Sequence, residues 1–207
     1  TADPAGATLY VTLEPCCHQG RQPPCTEAIL KAGTARGVVG SPDPNPLVAG
    51  KGNRLLREHG VQVEEHVLQA ECDRLNRAFL KYISTGRPYG VMKYAMTMDG
   101  KIAAHSGASH WVTGEEARQH VQTLRHRCRA ILVGVGTVIA DDPRLTCRLP
   151  GGRDPIRVIC DTHLRTPLTA QVVTTAGQTP TWIATCCADP ERQAVYQRAG
   201  CQVLCLN

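Results

Sequence analysis

The sequence predicts an α/β protein built as two consecutive domains, residues 1–86 and 87–207. Three observations predict it. Apolar β-rich runs alternate with helical runs along the chain, the pattern of strands and helices sharing layers. The cluster Ser84-Thr85-Gly86-Arg87-Pro88 breaks that alternation once. The 207 residues are 42% hydrophobic and 20% charged, enough for one large or two small domains with real cores.

In the first part, Ala7–Leu13 alternates and is β-rich, which predicts a strand. Thr26–Ala32 predicts a short helix, with Thr26 as N-cap and Gly33 just past its end. Arg36–Gly40 reads as a short buried strand, and Asp43-Pro44-Asn45-Pro46 as a loop by its prolines. Lys51–His59 predicts a helix and Val61–Val63 a strand. Leu68–Tyr82 predicts a long helix with Leu68, Cys72, Leu75, Ala78, Phe79 and Tyr82 on its buried stripe.

In the second part, Tyr89–Ala95 predicts an apolar strand, and Asp99-Gly100 a tight turn into Lys101–Ala104. Thr113-Gly114-Glu115-Glu116 has the spacing of a capping box opening a helix to about Arg127. Ala130–Gly134, Ile156–Cys160, Thr181–Ala184 and Gln202–Leu206 predict strands. Pro190 to Arg198 predicts a helix. No internal repeat or low-complexity tract is present.

Composition narrows the function classes. Aromatic residues make up 4% of the chain, too few for a base-stacking platform. The formal charge of +5 is spread out with no Lys/Arg block, which argues against nucleic acid. It reads as a solvated surface or as a preference for phosphorylated small molecules. Eleven cysteines, an odd count with no signal peptide in view, fit reduced cytoplasmic thiols and metal ligation better than a disulfide framework. No apolar run approaches a membrane span, so no membrane partner is expected. A homo-oligomer is left open.

The run Leu13-Glu14-Pro15-Cys16-Cys17-His18-Gln19-Gly20-Arg21-Gln22-Pro23-Pro24-Cys25 carries the sharpest chemistry. Two prolyl-cysteines stand between a strand and a helix. The prolines stiffen the loop, and paired thiolates suit zinc, which makes water nucleophilic. A buried thiol pair and a structural zinc knot are the competing readings. The motif resembles the deaminase domain of the bifunctional riboflavin-biosynthesis deaminase–reductases, because Thr-Leu-Glu-Pro-Cys is followed by His-x-Gly-Arg-x-Pro-Pro-Cys. The resemblance implies a cytidine-deaminase-like fold, with Cys16 and Cys25 as zinc ligands and His18 and Arg21 as substrate contacts. The loop from Asp43 to Gly52 resembles the same family. There Asn45 implies a contact with the pyrimidine or its phosphoribosyl arm; plain turn chemistry explains it equally. The family's zinc-binding histidine and proton-shuttling glutamate lie upstream of the cysteines. None of the eight histidines here has Glu two positions later. The expectation is a piece of a longer protein that does not deaminate by itself.

The run from Lys93 to Ala103 resembles the opening of the reductase domain of the same family. The match continues through Ser106–Thr113, Arg125, Ile131–Val138 and Asp141–Arg148 to Thr162. It implies a dihydrofolate-reductase-like fold and NADPH as cofactor. The implied cofactor contacts are Ala95, Trp111, Thr137, Asp141 and Thr162; the implied substrate contacts are Ser109, Arg125, Leu145 and Arg148. Lys93 reads as a catalytic or substrate-orienting cation, or as a lysine snorkelling from a strand. Arg125 and Arg148 suit phosphate as guanidinium forks, with surface ion pairing as the plainer reading. Gly134 and Gly136 could let a phosphate approach the backbone. The family's later glycine-rich cofactor segment has no counterpart here. The implied activity is zinc-dependent deamination of a diaminopyrimidinone ribosylamine phosphate, then NADPH-dependent reduction of its ribosyl chain to ribityl. Two other readings remain: a zinc nucleotide deaminase of another pathway, and a non-catalytic zinc-stabilised nucleotide-binding module.

Overall fold

Two wholly parallel sheets organise the chain, one in each of two units, Thr1–Lys93 and Tyr94–Asn207. The computed structural model describes residues 3–20, 22–109 and 111–206.

The first unit runs β1 (Thr8–Leu13), α1 (Cys25–Lys31), β2 (Arg36–Ser41), α2 (Lys51–Glu58), β3 (Gln62–Glu64) and α3 (Gln69–Thr85). The sheet order is β1-β2-β3, with Thr8 opposite Arg36 and Arg36 opposite Gln62. Central β2 is buried from Gly37 to Ser41, as a parallel strand covered on both faces must be. Val38 and Val39 form the core with Val48, Leu56, Val61 and Cys72. At Gly40 a Cβ would stand 2.2 Å from Cys72 Sγ, so the bare glycine lets α3 approach β2.

Two expectations fail here. Helix α1 starts at Cys25, its N-cap is Pro24, and no side chain caps it; Thr26 is buried instead. On α3, Leu68, Leu75 and Tyr82 are 69%, 71% and 59% exposed. The helix turns a partly polar face inward. Asn76 Nδ2 donates to Thr12 O (3.2 Å) and Ser41 Oγ donates to Asp73 (2.6 Å). The strands offer polar groups that must be paired, and this outweighs the apolar stripe.

The second unit runs α4 (Glu115–Arg127), β4 (Ala130–Gly134), α5 (Val135–Asp141), β5 (Ile156–Cys160), α6 (Gln171–Thr174), β6 (Thr181–Thr185), α7 (Pro190–Arg198) and β7 (Gln202–Cys205). The order is β4-β5-β6-β7, all parallel. Ile159 and Ile183 point to the core, where they meet Val135 and Val138 of α5, Val172 and Val173 of α6 and Tyr196 of α7. Asp189 caps α7 by accepting from Glu191 N–H and Arg192 N–H.

The strand expected over Tyr89–Ala95 does not form; Met92 and Tyr94 are exposed. A strand exists through its partner, and among the described residues β4 pairs only with β5. The turn at Gly100 does form: its N–H donates to Thr97 O (2.9 Å) and its φ is +79°. The capping box is not made. Gly114 is the N-cap of α4, and Arg118 Nη1 donates to Thr113 O (2.6 Å). No helix among the described residues is long and apolar enough to cross a membrane.

Candidate functional site

In the first unit the site grows from the end of β1. Glu14, 3% exposed, is the next residue. Its Oε2 accepts from Gly50 N–H (3.0 Å) and Asp43 N–H (3.4 Å), and its Oε1 from Gly52 N–H (3.0 Å) and Asn53 N–H (3.2 Å). A carboxylate here satisfies the open amides at the start of α2 and complements its dipole. The contact is close: a Cβ on Gly52 would lie 2.0 Å from Pro15 O. Glu14 therefore ties the Pro15-Cys16 turn to the loop carrying Asn45.

Cys16 is brought against Cys25 at the start of α1. Cys25 N–H donates to Cys16 Sγ (3.3 Å), and Thr26 N–H to Cys16 O (3.2 Å). A hydrogen bond between the two thiols raises the Cys25 pKa, with burial and the Cys16 charge adding to it. Two soft donors in contact fit zinc as two of its ligands. No group of three or more His, Cys, Asp or Glu side chains arranged to hold a metal occurs among the described residues. His18 is half-buried, and its Nδ1 is buried without a hydrogen-bond partner among those residues. Arg21 lies outside the described residues. Asn45 is used locally: its Oδ1 accepts from Leu47 N–H (3.1 Å), and its N–H donates to Asp43 Oδ1 (2.8 Å). That is an Asx turn.

In the second unit, α4 grips the loop after α5. Arg125 Nη1 donates to Thr146 O (2.7 Å), and Gln122 Oε1 accepts from Arg148 N–H (2.9 Å). Arg125 Nε is buried without a partner among the described residues. Burial and then the neighbouring Arg148 charge lower the Arg125 pKa. Leu145 lies in the same loop, 4% exposed, with φ +56°.

Thr137 and Asp141 stand exposed at the two ends of α5, and Thr162 is exposed just past β5. Strands β4 and β5 end together, Gly134 opposite Cys160. Thr137 and Thr162 thus follow adjacent carboxyl ends of a parallel sheet, where open α/β folds bind ligands. A Cβ on Gly134 or Gly136 would meet nothing within 4 Å, so there is room beside them. The Thr162 carbonyl accepts from Thr185 Oγ1 (3.1 Å) and Cys186 N–H (3.2 Å). Ser109 and Trp111 line an open depression with Thr97, Asp99 and Lys101. The Arg118 guanidinium lies 4.8 Å from the Trp111 ring centroid. Lys93 is exposed and Ala95 half-buried, both in the stretch without strand or helix.

The structure thus joins Cys16 to Cys25, Arg125 to Arg148, and Ser109 to Trp111. Sequence reasoning gave no role to Glu14, although the residue stood in the motif. Its only signal was a lone acid between an apolar strand and a proline.

These features define an α/β protein whose second unit has a wholly parallel sheet, with Arg125 on α4 held against the loop that carries Arg148. Residues 88–203 match the family model of the RibD C-terminal domain, and the chain belongs to that family. It is 53% identical over 202 residues to riboflavin biosynthesis protein RibD of Actinobacillus pleuropneumoniae, covering 98% of this chain and 54% of that protein. Identity to the Aquifex aeolicus RibD is 47% over 203 residues, 98% of this chain and 56% of the relative. The chain spans about half the length of the curated relatives it matches. Among solved structures, a Thermotoga maritima diaminohydroxyphosphoribosylaminopyrimidine deaminase/5-amino-6-(5-phosphoribosylamino)uracil reductase superposes with a TM-score of 0.83. It is 38% identical, over 98% of this chain and 63% of that one.

Proposed function

We propose that this chain carries the reductase chemistry of riboflavin biosynthesis, the NADPH-dependent conversion of a phosphorylated ribosylaminopyrimidine to its ribityl form. Residues 87–207 are read as a dihydrofolate-reductase-like domain, and residues 1–86 as part of a cytidine-deaminase-like domain. The family match over residues 88–203 and the reductase activity for which the Thermotoga maritima protein is named support the reading.

The observation that carries it is Arg125 beside Arg148. Gln122 and Arg125, three residues apart on α4, bond the Arg148 N–H and the Thr146 carbonyl, which brings the Arg148 charge near enough to lower the Arg125 pKa; a doubly charged anion such as a phosphate monoester would relieve that repulsion. Ser109, Arg125, Leu145 and Arg148 would hold the substrate. Ala95, Trp111, Thr137, Asp141 and Thr162 would hold NADPH, which supplies the hydride. Lys93 would hold the sugar oxygen as negative charge builds on it.

In the first domain Cys16 and Cys25 would hold zinc, which supplies Lewis acidity when bound. His18, Arg21 and Asn45 would face the pyrimidine; with its Oδ1 committed to Leu47, Asn45 has its amide NH2 to offer. A catalytic zinc site takes three protein ligands and a proton-shuttling acid. Cys16 and Cys25 would supply two of those ligands.

Titration of the chain with NADPH, followed by cofactor fluorescence, tests the reductase reading. Arg148→Ala should raise KM for the phosphorylated substrate by about tenfold to a hundredfold and leave NADPH affinity within about twofold. Absence of NADPH binding by the wild-type chain would overturn the reading. Cobalt added to the chain should give thiolate-to-metal absorption that Cys16→Ser abolishes; an unchanged spectrum would remove the metal from the proposal.

A further inference from the structure

The loop from Asp141 to Arg148 is bent in a way no free loop would choose. Asp142 (φ 38°, ψ 56°) and Leu145 (φ 56°) both occupy the left-handed region, and neither is glycine. Something must hold them there. Two residues outside the loop do so, one from β5 and one from α6.

Arg157 of β5 is wholly buried. Its Nη1 donates to Arg144 O (3.2 Å) and Thr175 Oγ1 (2.8 Å). Its Nη2 donates to Thr175 O (3.1 Å) and Thr179 O (2.7 Å). Each of these acceptors is a neutral oxygen. Among the described residues no carboxylate pairs with it directly; burial lowers its pKa, with Cys201 and Asp154 acting the other way, and an apolar side chain of the same size would fill the space more cheaply. What the guanidinium adds is a rigid fork joining the loop carbonyl at 144 to the turn after α6.

Gln171, the first residue of α6, grips the same loop. Its N–H donates to Asp142 Oδ1 (2.8 Å). Its Nε2 donates to Asp142 O (2.7 Å) and Oδ2 (3.2 Å), and its Oε1 accepts from Arg144 Nε (2.9 Å). The clamped pair, Asp142 and Arg144, lies between the exposed residues that face ligands in the reductase reading, Asp141 before it and Arg148 after it; Leu145, with its side chain in the core, has its backbone to offer.

We propose that Arg157 and Gln171 are positioning residues of the reductase site, holding the 141–148 loop in the strained form that anchors the Leu145 side chain in the core and presents Asp141 and Arg148 to cofactor and substrate. This rests on the reductase reading. Neither residue touches the reactants; both act through Asp142 and the Arg144 carbonyl.

The test uses the whole chain with Gln171→Leu, Gln171→Glu, Asp142→Asn/Gln171→Glu and Arg157→Met. Gln171→Leu should raise KM for the phosphorylated substrate and the NADPH Kd by about tenfold, with kcat within about threefold. Amide exchange should quicken in residues 141–148 and stay unchanged in β7. Gln171→Glu sets a carboxylate against Asp142 and should be worse. Adding Asp142→Asn gives that carboxylate a donor and should bring KM back to within about threefold of wild type. Should Arg157→Met not fold, the Gln171 series carries the test. Unchanged KM, Kd and loop exchange in Gln171→Leu would overturn the proposal. A fall in melting temperature with KM and Kd intact would also overturn it. A wild-type chain that binds no NADPH overturns the reductase reading and the positioning role with it. The wild-type control tells that failure from the others.

Discussion

Replacing Glu14 by glutamine should destabilise the first unit by about 4 kcal/mol. The carboxylate serves two pairs of amides, Asp43 and Gly50 on one oxygen, Gly52 and Asn53 on the other. Glutamine keeps a carbonyl for one pair and turns its NH2 toward the other. Two buried N–H groups then lose their acceptor and face a donor. At about 1–3 kcal/mol for each unsatisfied buried group, the loss is about 2–6 kcal/mol, before the weaker neutral bonds on the retained side are counted. Set against a typical domain stability of about 5–15 kcal/mol, a loss of about 4 kcal/mol is roughly a quarter or more of the whole. The probe must see the right unit. Both tryptophans, Trp111 and Trp182, lie in the second unit, so indole fluorescence is blind to the change. Urea unfolding followed by far-UV circular dichroism, with amide exchange read at α2, reports it. A loss under about 1 kcal/mol would refute the reasoning and mean that the four amides find other partners.

Three further outcomes follow from the same structure. Gly52→Ala forces a methyl to 2.0 Å from a backbone carbonyl and should destabilise by about 2–3 kcal/mol in the same urea assay. Gly37→Ala meets nothing within 4 Å and should change stability by under about 1 kcal/mol. The third concerns alkaline pH. Burial raises the pKa of both the Cys201 thiol and the Tyr196 phenol. The folded state therefore holds these protons more tightly than the unfolded one. The stability they supply is complete below about pH 9 and is lost as pH rises through the folded-state values. Urea midpoints at pH 8 and pH 10 should differ in that direction, and Cys201→Ala with Tyr196→Phe should flatten the slope.

Much of the fold was legible because short β-branched runs bounded by turn residues have one good solution inside a parallel sheet. Ile156–Cys160 is such a run, and its observed limits match the expected ones. Helix α5 was hidden. No element was expected after the strand ending at Gly134, because Gly136 and the Asp-Asp-Pro beyond it disfavour a helix, while the buried i,i+3 pair Val135 and Val138 carried a weaker signal. The strand at Tyr89–Ala95 was over-read because apolar alternation says nothing about whether a partner strand exists. The face of α3 was misjudged because Thr12 O and the Ser41 hydroxyl drew polar side chains inward.

The candidate site divides the same way. Cys16 and Cys25 could be read because prolines and spacing are properties of the sequence. The clamps could not: Glu14 and Arg157 bond largely to backbone groups, which every residue carries and no letter announces. Asn45 sits in the Asx turn that its sequence offered as the plainer account.

The tie between the Thr162 carbonyl and Thr185 and Cys186 would limit how a cofactor comes and goes, if the reductase reading holds. It stitches two neighbouring strand ends into a single rim, so neither can swing aside alone. On the reductase reading, a cofactor reaching this edge would approach from the flank beside Gly134 and Gly136, where an added Cβ would meet nothing within 4 Å. Bulky side chains placed there would act as a door and slow exchange without altering whatever chemistry lies behind it.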